Sequence, residues 1–286
     1  MKRGLILEGG AMRGMFTAGV LDVFMENDIE FDGAIGVSAG AVFGCNYKSK
    51  QIGRAIRYNK RFCKDKRYVS FMHWLKTGDL YPVEFCYETL PFELDIFDRD
   101  AYERNPLDFY ITSTDVLTGE PHYTLCNKGD EKDIRWMRAS ASMPVFANPV
   151  EIDGGLYSDG GTSDSVPIKY FESIGYDKNV LILTQPKGYR KKQYKGLFFI
   201  KRYLKKYPML YEAMVKRHVM YNETMDYIDK SEEEGRIFVI RPPEKLRVKP
   251  AEKNPLELER VYRLGRDIGN ATIISKKWME FVDKDN

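Results

Sequence analysis

The sequence has few of the residues that form metal centres or disulfide frameworks, and it has no long apolar run. Its 286 residues include four cysteines, with no C-x-x-C pair, and three histidines. Scattered cysteines argue against a zinc site and are typical of free thiols in a reducing compartment. The longest uncharged run, residues 33–47, is rich in glycine and shorter than the roughly 18 residues of a membrane span. The N-terminal apolar run is too short for a signal peptide.

The sequence also lacks a strong excess of either charge. The formal net charge is +3, with 30% charged and 43% hydrophobic residues, which is the profile of an ordinary globular protein. A net charge this small gives no reason to expect nucleic acid as a partner. Because there is no internal repeat and no low-complexity linker, we expect one large domain. The scattered cysteines and the shortness of the apolar runs lead us to expect it in the cytoplasm.

Two strand–loop–helix units follow one another near the start of the chain. The first has an apolar strand at 5–7, a glycine-rich loop at 8–14 and a helical pattern after it. The second has a strand at 31–35, a sharp turn at 36–40 and a helix to about residue 47. Two such units in succession indicate an α/β fold with parallel strands. Further strands are predicted at 107–114, 122–126, 150–152, 156–158, 180–183 and 237–240.

The turn of the second unit has the pattern G-x-S-x-G, with Ser38 at its centre and Gly36 and Gly40 around it. A serine between a strand and a helix has an exposed hydroxyl, and the glycines leave room that a Cβ would fill. By chance, roughly one chain in ten of this length would contain the pattern. A glycine-rich turn with an N-cap serine is therefore the alternative to a catalytic nucleophile.

The loop of the first unit allows three interpretations. With Gly9, Ala11 and Gly14 in the places of a dinucleotide fingerprint, it could bind a cofactor, but no acidic residue closes a second strand about 20 residues later. Its backbone N–H groups could instead form an oxyanion hole, because they converge where a helix begins. The third interpretation is an ordinary tight turn.

A nucleophilic serine requires a base, and a histidine is the first candidate. The order Ser38, Asp159, His218 would match an α/β-hydrolase triad, but here the nucleophile follows only the second strand, and His218 lies in a helix-like stretch. A carboxylate is the alternative. Asp153 and Asp159 each precede two glycines; Asp153 fits a hairpin tip, whereas Asp159 lies at the edge where strand–loop–helix units place their sites. We favour Asp159, although both could belong to plain turns.

Taken together and in this order, these motifs resemble the patatin-like phospholipase family, most closely its compact bacterial intracellular members. The resemblance extends from residue 3 to about 185, and the combination is more specific than any single motif. The C-terminal part resembles, more weakly, an extension that some bacterial members carry. The matching stretches are 8–14, 36–40, 139–146 and 159–161.

The stretch at about 51–98 is helical and irregular, rich in Lys, Arg and aromatics and without a strand pattern, so we expect a helical insertion or cap there. The resemblance implies a three-layer α/β/α fold with a mainly parallel sheet and a C-terminal helical extension. We expect a single patatin-like domain over 1–286, with its core at 3–185, a basic helical segment at 186–230, and a last strand and helices at 231–286. The implied activity is that of a serine lipid acyl hydrolase, similar to a phospholipase A or an esterase, without metal or cofactor.

In that activity the resemblance makes Ser38 the nucleophile and Asp159 the general base of a dyad without histidine. The implied oxyanion and substrate-binding residues are Gly9, Gly10, Ala11, Met12, Arg13 and Gly14, with Arg13 steadying the loop or an anionic head group. Supporting glycines are Gly36, Gly40, Gly160 and Gly161.

One residue departs from the family pattern. The family usually has a third glycine where Ala11 stands. If that position has a positive φ, alanine is strained there by about 1–2 kcal/mol. The alternative function is therefore a catalytically weak or inactive lipid-binding or regulatory protein on the same scaffold.

A basic segment at 187–206 bears on the partners of the protein. There is no acidic residue in this segment, and apolar residues recur at helical spacing after 196. A basic amphipathic helix is typical of contact with an anionic bilayer, which would place the protein at the inner membrane surface, and equally of a solvated cap helix. Nucleic-acid binding is disfavoured because no recognition motif is present.

Overall fold

Eight strands form one mixed sheet in the computed structural model, which describes residues 1–283. The strand order is β5-β6-β3-β2-β1-β7-β8, with β4 paired to β3. The strands are β1 (Arg3–Leu7), β2 (Gly33–Val37), β3 (Asp108–Asp115), β4 (Pro121–Leu125), β5 (Val150–Ile152), β6 (Gly155–Asp159), β7 (Lys178–Ile182) and β8 (Ile237–Ile240).

Helices cover both faces of this sheet. They are α1 (Gly14–Glu26), α2 (Ala39–Lys48), α3 (Arg54–Phe62), α4 (Phe71–Thr77), α5 (Arg99–Arg104), α6 (Glu131–Ala141), α7 (Ile168–Ser173), α8 (Leu197–Tyr203), α9 (Pro208–Glu233), α10 (Pro255–Ile273) and α11 (Lys276–Asp283). Two 3₁₀ turns, Ala11–Arg13 and Gly160–Thr162, and a π-helix, Phe85–Leu94, complete the described elements.

Alternation along the central strands produces the layers. Leu5 and Leu7 of β1 point to the face covered by α1, α2 and α10, whereas Ile6 points to the face covered by α7 and α9. The five strands β3-β2-β1-β7-β8 are parallel, and β4, β5 and β6 are antiparallel to their neighbours. The predicted three-layer fold with a mainly parallel sheet, a helical insertion and C-terminal helices is confirmed.

The register along β3 brings two strand ends together. Val37, the last residue of β2, pairs with Thr112, and Asp159, the last residue of β6, pairs with Ser113. Because β4 pairs with residues 110–114 of β3, β2 and β6 must share the opposite edge. The two strands run in opposite directions and meet end to end, so the residues that follow β2 and those that end β6 are neighbours.

Some element boundaries differ from the sequence prediction. β2 begins two residues later than expected, and the helical spacing after residue 196 corresponds only to the short helix α8 before α9 starts at Pro208. In the predicted C-terminal helical extension, α10 and α11 are separated at Ser275, whose hydroxyl accepts the N–H of Trp278. These breaks arise from local capping, which apolar periodicity does not report.

The C-terminal helix α10 lies directly against α1. A Cβ at Gly19 would lie 2.1 Å from the carbonyl oxygen of Tyr262, and one at Gly265 would lie 2.1 Å from the carbonyl oxygen of Phe16. The two backbones therefore touch where each helix has a glycine. This contact fixes the C-terminal part of the chain on the first strand–loop–helix unit.

Replacing Gly265 with alanine tests that contact. The added methyl group must push α10 away from α1, so we expect G265A to lower the free energy of unfolding by about 1–3 kcal/mol, although alanine is the better helix former. Urea unfolding measures the change. N270A, at an exposed position on the same helix, is the control, and a G265A protein as stable as N270A would contradict the close packing.

Candidate active site

Ser38 lies in a strained turn between β2 and α2. Its φ and ψ angles are 53° and −119°, a conformation that non-glycine residues rarely adopt. The N–H of Ser38 donates to the Ser140 hydroxyl at 2.8 Å, and that hydroxyl donates to the Thr112 carbonyl at 2.6 Å. Ser140 thus ties the turn to β3, and the partly exposed Ser38 side chain is held away from the sheet.

The flanking glycines allow this turn to fold tightly. A Cβ at Gly36 would lie 2.6 Å from the Ala41 Cα, and one at Gly40 would lie 2.3 Å from the Leu7 carbonyl oxygen. Both positions are closed to any larger residue because the obstacle is backbone. The glycines are therefore explained by close packing at the turn.

Asp159 reaches Ser38 from the opposite direction, at the end of β6. Its side chain lies near the Ser38 hydroxyl, which lowers the pKa of the carboxyl, and its Oδ1 accepts the N–H of Gly161 at 2.8 Å. The residue is only 5% exposed. Gly160 lies against β3, where a Cβ would be 2.2 Å from the Thr112 carbonyl oxygen. The chain can therefore turn immediately after Asp159 and keep its carboxylate beside the serine.

The surroundings of Asp159 act on its pKa in opposite directions. Burial raises the pKa above its ordinary value, and this is the dominant effect. The nearby Arg217 guanidinium, the Ser38 hydroxyl and the Gly161 N–H each favour the ionised carboxylate. The result is a carboxylate with a raised pKa, which is a stronger base than an aspartate in water.

The glycine-rich loop lies beside this pair. A Cβ at Gly9 would be 3.0 Å from the Ser38 Cβ, so the loop backbone contacts the serine turn. Within residues 1–283, no acceptor takes the N–H groups of Gly9, Gly10 or Ala11. Ala11 has a φ of +48°. The condition for strain is thus met, and the alanine costs about 1–2 kcal/mol at this position.

A buried carboxylate fixes this loop from behind. Glu8 accepts the N–H of Thr184 at 2.5 Å and the hydroxyl of Tyr221 at 2.9 Å. Its acceptor oxygens are thereby used within the structure. The Thr184 side chain lies under Gly10, where a Cβ would be 2.7 Å from its Oγ1. Glu8 therefore joins the ends of β1 and β7 to α9 and sets the position of the loop.

The other predicted loop residues have different surroundings. Met12 is buried in the core, and Gly14 opens α1, where a Cβ would lie 2.8 Å from the Phe43 ring. The Arg13 Nε is buried and has no hydrogen-bond partner among the described residues. Gly161 has its carbonyl oxygen bonded by the Arg217 guanidinium.

A cavity of about 1110 Å³ opens over Ser38 and Asp159, and its walls differ in chemistry. One wall is apolar and comes mainly from the insertion between β2 and β3 and from α6. The other wall is cationic and comes mainly from the segment after β7 and from α9. Apolar members include Tyr58, Tyr68, Leu90, Phe97, Met137 and Phe146, and cationic members include Arg13, Arg190, Lys191, Lys192 and Arg217.

The two residues considered as alternatives are elsewhere. Asp153 is at the exposed hairpin tip between β5 and β6, where it forms a 2.6 Å ion pair with Lys132. His218 is on α9 and has its Nδ1 3.0 Å from the Val215 carbonyl oxygen. Neither residue lines the cavity. Of the candidates, the structure brings Asp159 to the serine.

Several residues at the site were not assigned a role from the sequence. Ser140 was seen only as part of a motif, and its two hydrogen bonds require the fold to be known. Lys191 and Arg217 lie far along the chain in a segment that predicted only a basic surface. Burial, followed by the nearby Arg217 and Arg13 charges, lowers the pKa of Lys191 to about 7.

Two kinds of feature are absent from residues 1–283. Between residues 1 and 283, no three His, Cys, Asp or Glu side chains are grouped so that they could hold a metal ion. No helix in the same range has the length and apolar character needed to cross a membrane.

The strand–turn–serine geometry, the carboxylate at the end of β6 and the free N–H groups of the loop define a hydrolase-like site. The chain belongs to the patatin-like phospholipase family, whose model matches residues 5–172. The predicted family resemblance is thereby confirmed, and membership supports a function as a lipid hydrolase. A second model, a domain of unknown function (DUF6363), matches residues 207–281.

Relatives extend this comparison. The uncharacterized protein YjjU of Escherichia coli is 30% identical over 93% of this chain and 75% of its own length. Lysophospholipase nte1 of Aspergillus oryzae is 25% identical over 61% of this chain, which corresponds to only 11% of that protein. The solved structure of VipD from Legionella pneumophila aligns with 94% of this chain and 66% of its own, at 13% identity and a TM-score of 0.44.

The balance of charge around Asp159 can be tested without any assay of activity. Replacing Arg217 with glutamine removes a cation that favours the ionised carboxylate, so we expect R217Q to raise the pKa of Asp159 further. R217K keeps the positive charge and should change the pKa of Asp159 less than R217Q does. The measurement is an NMR titration of the side-chain carboxyl carbon, assigned with D159N. K216Q, at the exposed neighbouring position, is the control, and an unchanged pKa in R217Q would contradict this electrostatic role.

Proposed function

We propose that this protein is a serine lipid acyl hydrolase that cleaves carboxylic ester bonds with Ser38 as nucleophile and Asp159 as general base. The observation that carries the proposal is the end-to-end meeting of β2 and β6, which brings the Ser38 hydroxyl beside a buried carboxylate. A hydroxyl paired with a base is the arrangement that nucleophilic catalysis requires.

In the proposed reaction, the Ser38 oxygen attacks the ester carbonyl while Asp159 accepts the hydroxyl proton. The N–H groups of Gly9, Gly10 and Ala11 stabilise the oxyanion; losing one such donor typically costs about 10²–10³ in rate. The proton held by Asp159 passes to the departing alcohol, which leaves an acyl-serine. A water molecule then gives its proton to Asp159 and attacks the acyl group; as the acid leaves, Asp159 returns that proton to the Ser38 oxygen.

The cavity supports a lipid as the acyl donor. Its apolar wall begins beside Ser38 and continues over the insertion, so an acyl chain bound there would place its ester at the serine. The volume of about 1110 Å³ is large for a small-molecule site, since ligand pockets usually measure about 300–1,000 Å³. A long-chain ester therefore fits better than a short one.

The alternative proposal is a catalytically weak or inactive lipid-binding or regulatory protein. The observation in its favour is the positive φ of Ala11, because strain in the oxyanion loop could weaken turnover. The free N–H groups of the same loop favour the enzyme, since a loop that had lost this role would have no reason to leave them without acceptors.

Hydrolysis of p-nitrophenyl esters separates the two proposals. We expect S38A and D159N each to lose at least about 10³ in kcat, because each removes a group that takes part in proton transfer or bond formation. S173A and D177N, at exposed positions away from the cavity, are the matched controls. Covalent labelling by a fluorophosphonate probe should require Ser38. Wild-type protein without Ser38-dependent turnover would favour the regulatory protein, and activity that survives S38A would contradict the mechanism.

We further propose a cytoplasmic protein that contacts the inner membrane surface through the basic segment. Phe198 and Phe199 of α8 are 76% and 75% exposed and have lysines around them. On α4, Phe71 and Leu75 are 60% and 59% exposed. After the larger effect of burial, the Asp79 carboxylate just after α4 raises the pKa of Tyr203 at the end of α8. Exposed aromatics with cations are typical of interfacial binding.

Co-sedimentation with vesicles tests this contact. We expect stronger binding to vesicles that contain acidic lipid, since each surface lysine contributes about 1 kcal/mol near an anionic leaflet. F198S/F199S should weaken binding at least tenfold through lost apolar burial. L256S, at a position 74% exposed on α10, is the matched control. Equal binding to neutral vesicles would remove the electrostatic part of the proposal, and no binding would remove all of it.

A further inference from the structure

The cationic wall of the cavity has far more positive than negative charge. Among residues 1–283, the only acidic residues that line the cavity are Glu8 and Asp159. Glu8 is already hydrogen-bonded to Thr184 and Tyr221. Arg190 on the same wall is neutralised by an ion pair 2.6 Å from Asp226. An excess of cation remains next to the catalytic pair, and a ligand with negative charge would complement it.

Three of these cations surround the space beside Ser38 and Asp159. They are Arg13 from the glycine-rich loop, Lys191 from the segment after β7, and Arg217 from α9. None of the three forms an ion pair with a carboxylate of the described residues within 4.0 Å. Lys191 and Arg217 lie outside the match to the family's model, so they are supplied by the C-terminal part of the chain.

Lys191 is fixed in place, although its ammonium is free of a carboxylate. Its backbone N–H donates to the Asn222 side chain at 2.8 Å, and its carbonyl accepts from the same side chain at 3.1 Å. Its Nζ lies 4.1 Å from the centre of the Tyr221 ring. A half-buried lysine held this way is oriented before a ligand arrives, so little conformational entropy is lost on binding.

Arg217 is held as firmly. Its guanidinium donates to the Gly161 carbonyl and to the Tyr194 hydroxyl, and it lies over the Tyr194 ring at 5.8 Å. These bonds place the cation beside Asp159. The planar guanidinium group is suited to phosphate because its N–H groups match the spacing of two oxygens.

Two buried polar atoms at this wall have no partner among the described residues. One is the Arg13 Nε, and the other is the Oε1 of Gln185, a residue only 7% exposed that lines the same cavity. A buried polar atom without a partner costs about 1–3 kcal/mol. One donor and one acceptor are therefore available to a ligand that carries both an anionic oxygen and a hydroxyl.

We propose that Lys191, Arg217 and Gln185, together with Arg13, form a subsite that selects acyl esters bearing a phosphate monoester and a free hydroxyl. The substrate class is a monoacylated glycerol phosphate, with its chain on the apolar wall, its ester at Ser38 and its phosphate on the cations. Gln185 accepts the hydroxyl of the glycerol. This inference rests on the proposed function, and it assigns the selection of the head group to the C-terminal part of the chain.

The protonation of Lys191 adds a pH dependence to this subsite. The charged and titratable groups that face it are Arg13, Arg217, Glu8, Asp159 and Tyr221. Its pKa of about 7 means that the ammonium loses its proton as the pH rises through that value. Binding of phosphate should therefore weaken above about pH 7. Below about pH 6 the phosphate itself takes up a proton and loses charge.

Binding of glycerol 3-phosphate tests the subsite without turnover. Calorimetry is carried out on the S38A protein, alone and combined with K191M, K191R or K195M. We expect K191M to weaken binding at least tenfold, because it removes a charge-assisted bond. K191R should retain binding and lose the weakening above pH 7. K195M removes an exposed lysine of the same segment that does not line the cavity, and it should change nothing. Equal affinity with and without K191M, or no binding, would overturn the subsite.

Hydrolysis of a matched pair of substrates then tests selection. We expect 1-oleoylglycerol 3-phosphate to be preferred to 1-oleoylglycerol in kcat/KM, and K191M to reduce that preference at least tenfold, whereas K195M should leave hydrolysis of both esters unchanged. Ser38-dependent hydrolysis without preference would overturn the subsite and leave the proposed function in place. If the wild-type protein hydrolysed neither ester while glycerol 3-phosphate binding still depended on Lys191, the proposed function alone would be overturned. Inorganic phosphate binding as tightly as glycerol 3-phosphate, without substrate preference, would identify a site for the free ion and overturn the selection.

Discussion

The site depends on one strand edge that two other strands share. β3 pairs with β2 over its first half and with β6 over its second half, along the same edge, so the two partners meet at the junction of Thr112 and Ser113. No loop is needed to bring Ser38 and Asp159 together, because each is placed by the end of a hydrogen-bonded strand. Residues on rigid elements hold their geometry better than residues on loops.

The backbones approach closely where β2 and β6 meet, and the residues at this junction are those that can adopt such close packing. Gly160 is against the Thr112 carbonyl, and Ser38 has a backbone conformation that few residues adopt. Ser140 satisfies the Ser38 N–H and the Thr112 carbonyl with one hydroxyl, at the point where the ladder between β2 and β3 stops. The strain at Ser38 and Ala11 is offset elsewhere by a sheet whose central strands are buried except at Arg3.

The sequence was sufficient to predict what is encoded locally. Short-range patterns predicted the strand–loop–helix order, the glycines of the Ser38 turn and the preference for Asp159 over Asp153. The fold and the family were predicted from these features. The role of Ser140 depends on a neighbour more than 100 residues away in the chain, and no spacing rule reports such a contact. The sequence likewise could not predict the positions of Lys191 and Arg217, because a basic residue on an exposed face and one on a cavity wall have the same sequence pattern.

The position of these two cations suggests how the chemistry and the choice of substrate are divided along the chain. The part that matches the family supplies the serine, the carboxylate, the loop and much of the apolar wall. The part after it supplies most of the cationic wall, and it is attached to the same structure through Glu8, which bonds Thr184 and Tyr221 behind the loop. The Arg217 guanidinium bonds the Gly161 carbonyl, lowers the pKa of Asp159 and lines the cavity. A change of charge in the C-terminal segment would therefore change the electrostatic potential at Asp159 and at a ligand in the cavity. In the proposed mechanism and subsite, selection and catalysis are therefore electrostatically coupled, and a C-terminal segment with different charges would require a compensating change near the carboxylate.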